Sequence, residues 1–213
     1  GGGPSLELFD PASDNSQPES WGLGQSFSPG AANAAAEPGG GAIVITEIMY
    51  KPRREEIRVQ LGPPLNGPGP YTETGDDIYG EFVEIFNRSQ EVVDLSGWTL
   101  SEGIDFGFPE GTTLEPGAYL VIAGAPEFLK ARQLIDNVVG PFTGQLNNGG
   151  ERITLRDQDA VTVDSVRYND RYPWPTAPDE YGMSLECVAP DEDNSTAANW
   201  RSSAEPFPPP EPI

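Results

Sequence analysis

The side chains that could do chemistry are almost all carboxylates. The 213-residue chain carries 34 Asp and Glu against 12 Lys and Arg, no His, and one cysteine, Cys187. Without His no side chain has an ordinary pKa near neutrality, so acid–base catalysis would need a carboxylate pair held in a cleft. Glu81 and Glu84 offer such a pair by type, but their neighbours supply neither a cleft nor a separation. Glu47 and Glu84 lie in apolar, strand-like runs. A buried carboxylate there needs a partner, and Arg152, Arg156 or Arg167 is expected to supply it in a structural role. Cys187 reads as a small apolar core residue, and a lone cysteine allows neither an internal disulfide nor a Cys/His zinc cluster. The chain is expected not to be an enzyme and to hold no cofactor.

Two further groupings could bind a ligand. Asp191, Asp193 and Ser195 place hard oxygens at alternate positions, and Asp76 and Asp77 close a loop, so calcium is the metal these residues suit. Neither grouping completes an EF-hand loop, because Thr196 stands where the sharp glycine turn would be. Tyr172, Trp174 and Tyr181, beside Tyr168 and separated by prolines, could stack on the apolar faces of a sugar; the same rings could instead cap a core.

The net charge of −22 repels phosphate backbones and anionic membrane surfaces, so nucleic-acid binding is not expected. The longest apolar runs are too short to span a bilayer. The acidity suits a salty or calcium-containing exterior, and a secreted or cell-surface location is the expectation. The opening Gly1-Gly2-Gly3 reads as the start of a processed or excised piece.

The elements that must position these groups are short strands. Residues 42–50 form a β-branched, apolar run that Pro52 ends. Residues 53–79 are rich in Pro and Gly and read as a long surface loop, with a possible short strand at 57–61. In residues 80–87, Val83, Ile85 and Asn87 face one way and Phe82, Glu84 and Phe86 the other; apolar groups on both faces predict a central strand. Further strand signals follow at 92–95, 98–101, 105–108, 117–123, 151–156, 160–168 and 182–188, broken by Ser96-Gly97, Pro109-Glu110-Gly111 and Asn147-Asn148-Gly149-Gly150. Residues 125–134 are the one helical candidate. Many short strands with turn signals between them predict an all-β sandwich.

The chain also repeats itself. Residues 3–21 align without gaps to residues 182–200 at a constant offset of 179, with Gly, Ser, Leu, Glu, Pro, Asp, Asn, Ser and Trp at the same places. Such a repeated unit is how tandem arrays appear in sequence. The second copy reads as a closing strand, a stop at Pro190, turn chemistry at Asp193-Asn194-Ser195, and a Trp200 anchor. The first copy, with Ser5, Leu6, Leu8, Phe9 and Trp21 as its assembly residues, reads as the end of a preceding domain. Alternatively it is a strand donated to a neighbouring molecule. In this copy Ala12 stands in place of Asp191, which weakens calcium binding as a shared property.

From residue 43 to 200 the chain resembles the lamin tail domain family, which has an immunoglobulin-like fold. The resemblance is carried by an ordered series: Ile45-Thr46-Glu47-Ile48-Met49-Tyr50, Glu81-Phe82-Val83-Glu84-Ile85-Phe86-Asn87, Asp94-Leu95-Ser96-Gly97-Trp98, residues 108–121, residues 144–155, Val163-Asp164-Ser165-Val166-Arg167-Tyr168, and Asn199-Trp200. The loop at 53–79 departs from the shorter bacterial pattern. The resemblance implies an immunoglobulin-like sandwich with an extended N-terminal segment and a Pro-rich tail. It also implies a module of large secreted bacterial proteins that serves adhesion, scaffolding or substrate attachment. The expected organisation is a closing segment at 1–27, a linker at 28–41, the sandwich at 42–203 and the tail at 204–213. The expected function is a non-catalytic extracellular module that binds protein partners or copies of itself in a tandem array. The alternatives are a filament or surface-layer subunit that polymerises by strand donation, and a carbohydrate-binding accessory.

Overall fold

A computed structural model describes residues 6–8, 21–23, 41–52 and 80–204. The expected linker at 28–41 (all but Gly41), the possible strand at 57–61 and the Pro-rich tail beyond residue 204 lie outside them, as do Ser5, Phe9, Asp76 and Asp77.

Two sheets form the sandwich. The first runs, in spatial order, β10 (Val138–Val139), β9 (Tyr119–Ala123), β4 (Phe82–Asn87), β3 (Ile43–Met49), β14 (Leu185–Cys187) and β15 (Trp200–Ser202). The second runs β11 (Thr143–Gly144), β7 (Ile104–Gly107), β6 (Thr99–Ser101), β12 (Arg152–Arg156) and β13 (Thr162–Arg167). A small ladder pairs β5 (Val93–Asp94) with β8 (Thr113–Leu114), and another pairs β1 (Leu6–Leu8) with β2 (Trp21–Leu23). The fold is an all-β, immunoglobulin-like sandwich. Helix α1 (Pro126–Gln133) forms where the composition predicts one, opened by Pro126 and ended by Leu134 in the left-handed region. A short helix α2 (Ala177–Tyr181) and a 3₁₀ turn (Ala197–Asn199) add to the single helix expected. Both are too short to leave an apolar periodicity in the sequence.

The core lies between the sheets and includes Ile43, Ile45, Ile48 and Tyr50 of the first strand run, Val83 and Ile85 of β4, and Leu100, Ile153, Leu155 and Val166 of the second sheet. A smaller cluster of Met49, Phe82, Val121, Leu129 and Val138 fills the outer face of the first sheet under α1. That second layer is why β4 is apolar on both faces.

A bulge sets which residues of β3 face the core. Ile45 pairs with Ile85 and Glu47 with Glu84, so Thr46 is the extra residue. One inserted residue reverses the alternation. Ile43 and Ile45 point inward before the bulge, and Ile48 and Tyr50 after it. Glu47 and Met49 are thereby turned to the outer face. Strict alternation from Ile43 would have aimed Glu47 into the core. A second bulge interrupts the pairing of β12 with β13, where Leu155 pairs with Asp164 and Arg156 with Thr162.

Candidate functional site

The two bulges meet through one buried carboxylate. Asp164 on β13 is fully buried. Its Oδ2 accepts the backbone N–H of Ile45 at 2.6 Å, and its Oδ1 accepts the N–H of Ser165 at 2.9 Å. The closing segment completes the arrangement. Asn194 donates from Nδ2 to Asp164 Oδ2 at 2.8 Å and to the Ile45 carbonyl at 3.0 Å. Burial pushes the Asp164 carboxyl up to about 6, opposed by the donors from Ile45, Asn194 and Ser165 and by the Arg88 charge. Arg88 clamps the same corner, donating to the Gly41 carbonyl at 2.7 Å and to the Pro190 carbonyl at 3.0 Å.

The closing segment is itself well tied. Asn199 donates to the carbonyls of Ala189 and Asp193 and accepts the N–H of Ala189. The Trp200 indole N–H donates to the Asn194 carbonyl at 2.7 Å, and its ring lies 5.8 Å from that of Trp174 in the core. β14 then pairs with β3 on one edge, Leu185 opposite Ile48 and Glu186 opposite Glu47, and with β15 on the other. Residues 184–202 therefore form a hairpin seated on the edge of β3 and locked through Asn194 to the opposite sheet.

The N-terminal strands β1 and β2 pair in the same register. Leu6 pairs with Leu23, Glu7 with Gly22 and Leu8 with Trp21, while Leu185 pairs with Ser202, Glu186 with Arg201 and Cys187 with Trp200. Every one of these pairs is displaced by the same 179 positions that relate the two sequences.

The outer face of the first sheet carries a row of carboxylates. Glu186, Glu47 and Glu84 are direct neighbours on β14, β3 and β4. The expected arginine partners are absent from this row. Arg152 and Arg156 lie on β12 of the other sheet and bond to Ser165 and Thr162, because the Thr46 bulge turns Glu47 away from that sheet. Hydroxyl donors serve instead: Ser184 Oγ donates to Glu47, and Thr46 Oγ1 donates to Glu84 at 2.9 Å. Glu186 takes the exposed Arg201 at 3.0 Å. Burial first, and the charges of Glu84 and Glu186 next, push the Glu47 carboxyl up to about 7 despite the Ser184 bond. Glu84 is raised, chiefly by burial.

These shifts fix the sign of the pH dependence. A carboxyl whose pKa is higher in the folded than the unfolded chain binds its proton more tightly when folded. Its contribution is complete below the unfolded value and is lost as pH rises through the folded one. For Glu47 that window runs from 4.5 to about 7, and for Asp164 from 3.8 to about 6. The melting temperature is expected to be higher at a pH of about 5 than at about 8, with Glu47→Gln reducing the difference. Calorimetry across that range checks this, and a melting temperature that falls on mild acidification would refute it.

Glu81 and Glu84 are not a catalytic pair. Glu81 is fully buried, with Oε2 accepting the Leu146 N–H at 2.9 Å, while Glu84 is on the outer face. Asp193 Oδ1 accepts the Ser195 N–H at 2.8 Å as a local turn. Among the described residues no group of three or more His, Cys, Asp or Glu is gathered to hold a metal. The aromatic group is divided: Trp174 is only 8% exposed and Tyr168 1%, both in the core, whereas Tyr172 is 91% and Tyr181 59% exposed. Trp174 is thus removed from any sugar-stacking platform, because its ring packs on Trp200. Cys187 is free, half-buried and packed against the core. Sequence reasoning missed Asp164; its one signal is an acid set between Val163 and Val166 in a strand-like run.

Among curated proteins no match to the chain is found. The family model of the lamin tail domain matches residues 36–170, well over half of the chain and most of the sandwich, and ends before the closing hairpin. With that match and an immunoglobulin-like sandwich in place, the chain belongs to the lamin tail domain family.

Proposed function

We propose that this protein is a non-catalytic attachment module, one unit of a tandem array that joins proteins to each other or to a surface outside the cell. The family supplies the coarser part, an immunoglobulin-like structural and protein-interaction domain. The observation that carries the array is the pairing of β1 with β2, in the same register as the hairpin that completes the sandwich. A self-contained sandwich has use for one such hairpin. The strong negative charge favours an exposed, solvated surface over one that binds nucleic acid.

An antibody raised against residues 41–204 tests both halves of the proposal in the producing cells. It is expected to detect the protein in the medium or on intact cells, in a polypeptide much larger than 22.9 kDa. Signal confined to the cell interior would remove the extracellular role, and a band at the mass of one unit would remove the array. A second reading, polymerisation by donation of the same hairpin between molecules, predicts sedimentation above the monomer mass that rises with concentration. A monomer at every concentration would end it.

A further inference from the structure

We infer that residues 5–23 are a docking hairpin for a second lamin tail sandwich, on which they take the seat that residues 184–202 take here. This rests on the array reading and names what one unit presents to the next.

Three observations carry it. The register of β1 with β2 is that of β14 with β15, residue for residue. The seated copy uses the remaining edge of β14 to pair with β3, whereas β1, among the described residues, pairs with β2 alone. A two-stranded hairpin is marginal in water and gains stability by joining a larger sheet.

The third observation is the pattern of matches. In the seated copy Ser184 is bonded to Glu47 and Asn194 to Ile45 and Asp164, Leu185 and Trp200 are packed in the core, and Cys187 and Ala197 pack against it. The first four types recur in the first copy, as Ser5, Asn15, Leu6 and Trp21, while Cys187 and Ala197 become Leu8 and Pro18. Of the side chains that bond only within the hairpin segment, Asp193 recurs as Asp14 and two others do not. Asn199, which ties Ala189 and Asp193, becomes Ser20, and Arg201, which pairs with Glu186, becomes Gly22. The first copy thus carries the residue types that, in the seated copy, meet a β3 edge and a buried carboxylate such as Asp164.

The test is a full-length chimera in which residues 184–202 are replaced by the sequence of residues 5–23, which has the same length. It is expected to melt in one cooperative transition, with Asn194→Ala lowering its melting temperature as in the parent. A chimera without a cooperative transition overturns the inference. In a second arm a synthetic peptide of residues 3–25 is added to the intact Asn194→Ala chain, whose seat is loosened. The expected result is a melting temperature that climbs with the logarithm of peptide concentration. No rise, where a peptide of residues 182–204 gives one, overturns it too. The array and the seat fail separately: a single-unit band leaves the chimera result standing, and a failed chimera leaves the size of the parent polypeptide untouched.

Discussion

Trp200→Ala is expected to lower the stability of the sandwich by about 3–5 kcal/mol, the range for truncating a buried aromatic ring. Trp200 is only 5% exposed and packs in the main core beside Trp174. Its loss leaves a cavity where two rings met and the Asn194 carbonyl without its indole donor. It also loosens the outermost strand, which among the described residues pairs with β14 alone. Domains of this size are stable by about 5–15 kcal/mol, so the variant would retain a fraction of its margin. Urea titration followed by circular dichroism gives the value. Trp200→Phe, which keeps a ring but drops the N–H, is expected to cost less than the alanine variant. A loss under about 1 kcal/mol for Trp200→Ala would mean that the closing hairpin contributes little, and would weaken its reading as a docking element.

Asp164→Asn is expected to cost about 3 kcal/mol, from unpaired buried donors and the loss of a charge-assisted acceptor. The change is nearly isosteric, so packing is not the cause. Both carboxylate oxygens accept from N–H groups: Oδ2 from Ile45 and Asn194, Oδ1 from Ser165. An amide can turn its oxygen to one side only. Whichever way it turns, its NH₂ faces a backbone or side-chain donor. Hydrogen exchange gives a local readout beside the global melt: the Ile45 and Ser165 amides are expected to exchange faster in the variant than other amides of β3 and β13. An Asp164→Asn chain as stable as the parent would show that the carboxylate is not what joins the two sheets and the closing segment.

The fold class was legible because it depends on local order. Alternation of apolar residues, β-branched runs and glycine or asparagine turns are properties of neighbours in the chain, and they predict strands and their breaks. The two-faced pattern of residues 82–87 shows a central strand before any partner is known. The 179-residue echo is likewise present in the residue string, and the hairpin pairing follows it because short antiparallel ladders take their register from the segment itself.

What only the tertiary structure decided involves residues that meet from distant parts of the chain. The Thr46 bulge appears only against β4, and it alone turns Glu47 outward, away from the arginines that sequence reasoning assigned to it. Asp164 lies 119 positions from the Ile45 amide it accepts, a pairing with no local signature. The sequence leaves Trp174 open between a sugar platform and a core cap, and Trp200 brought against it decides for the core. In each case the sequence determined the chemical type of the side chain, and long-range sheet pairing determined which face it took and which partner it met.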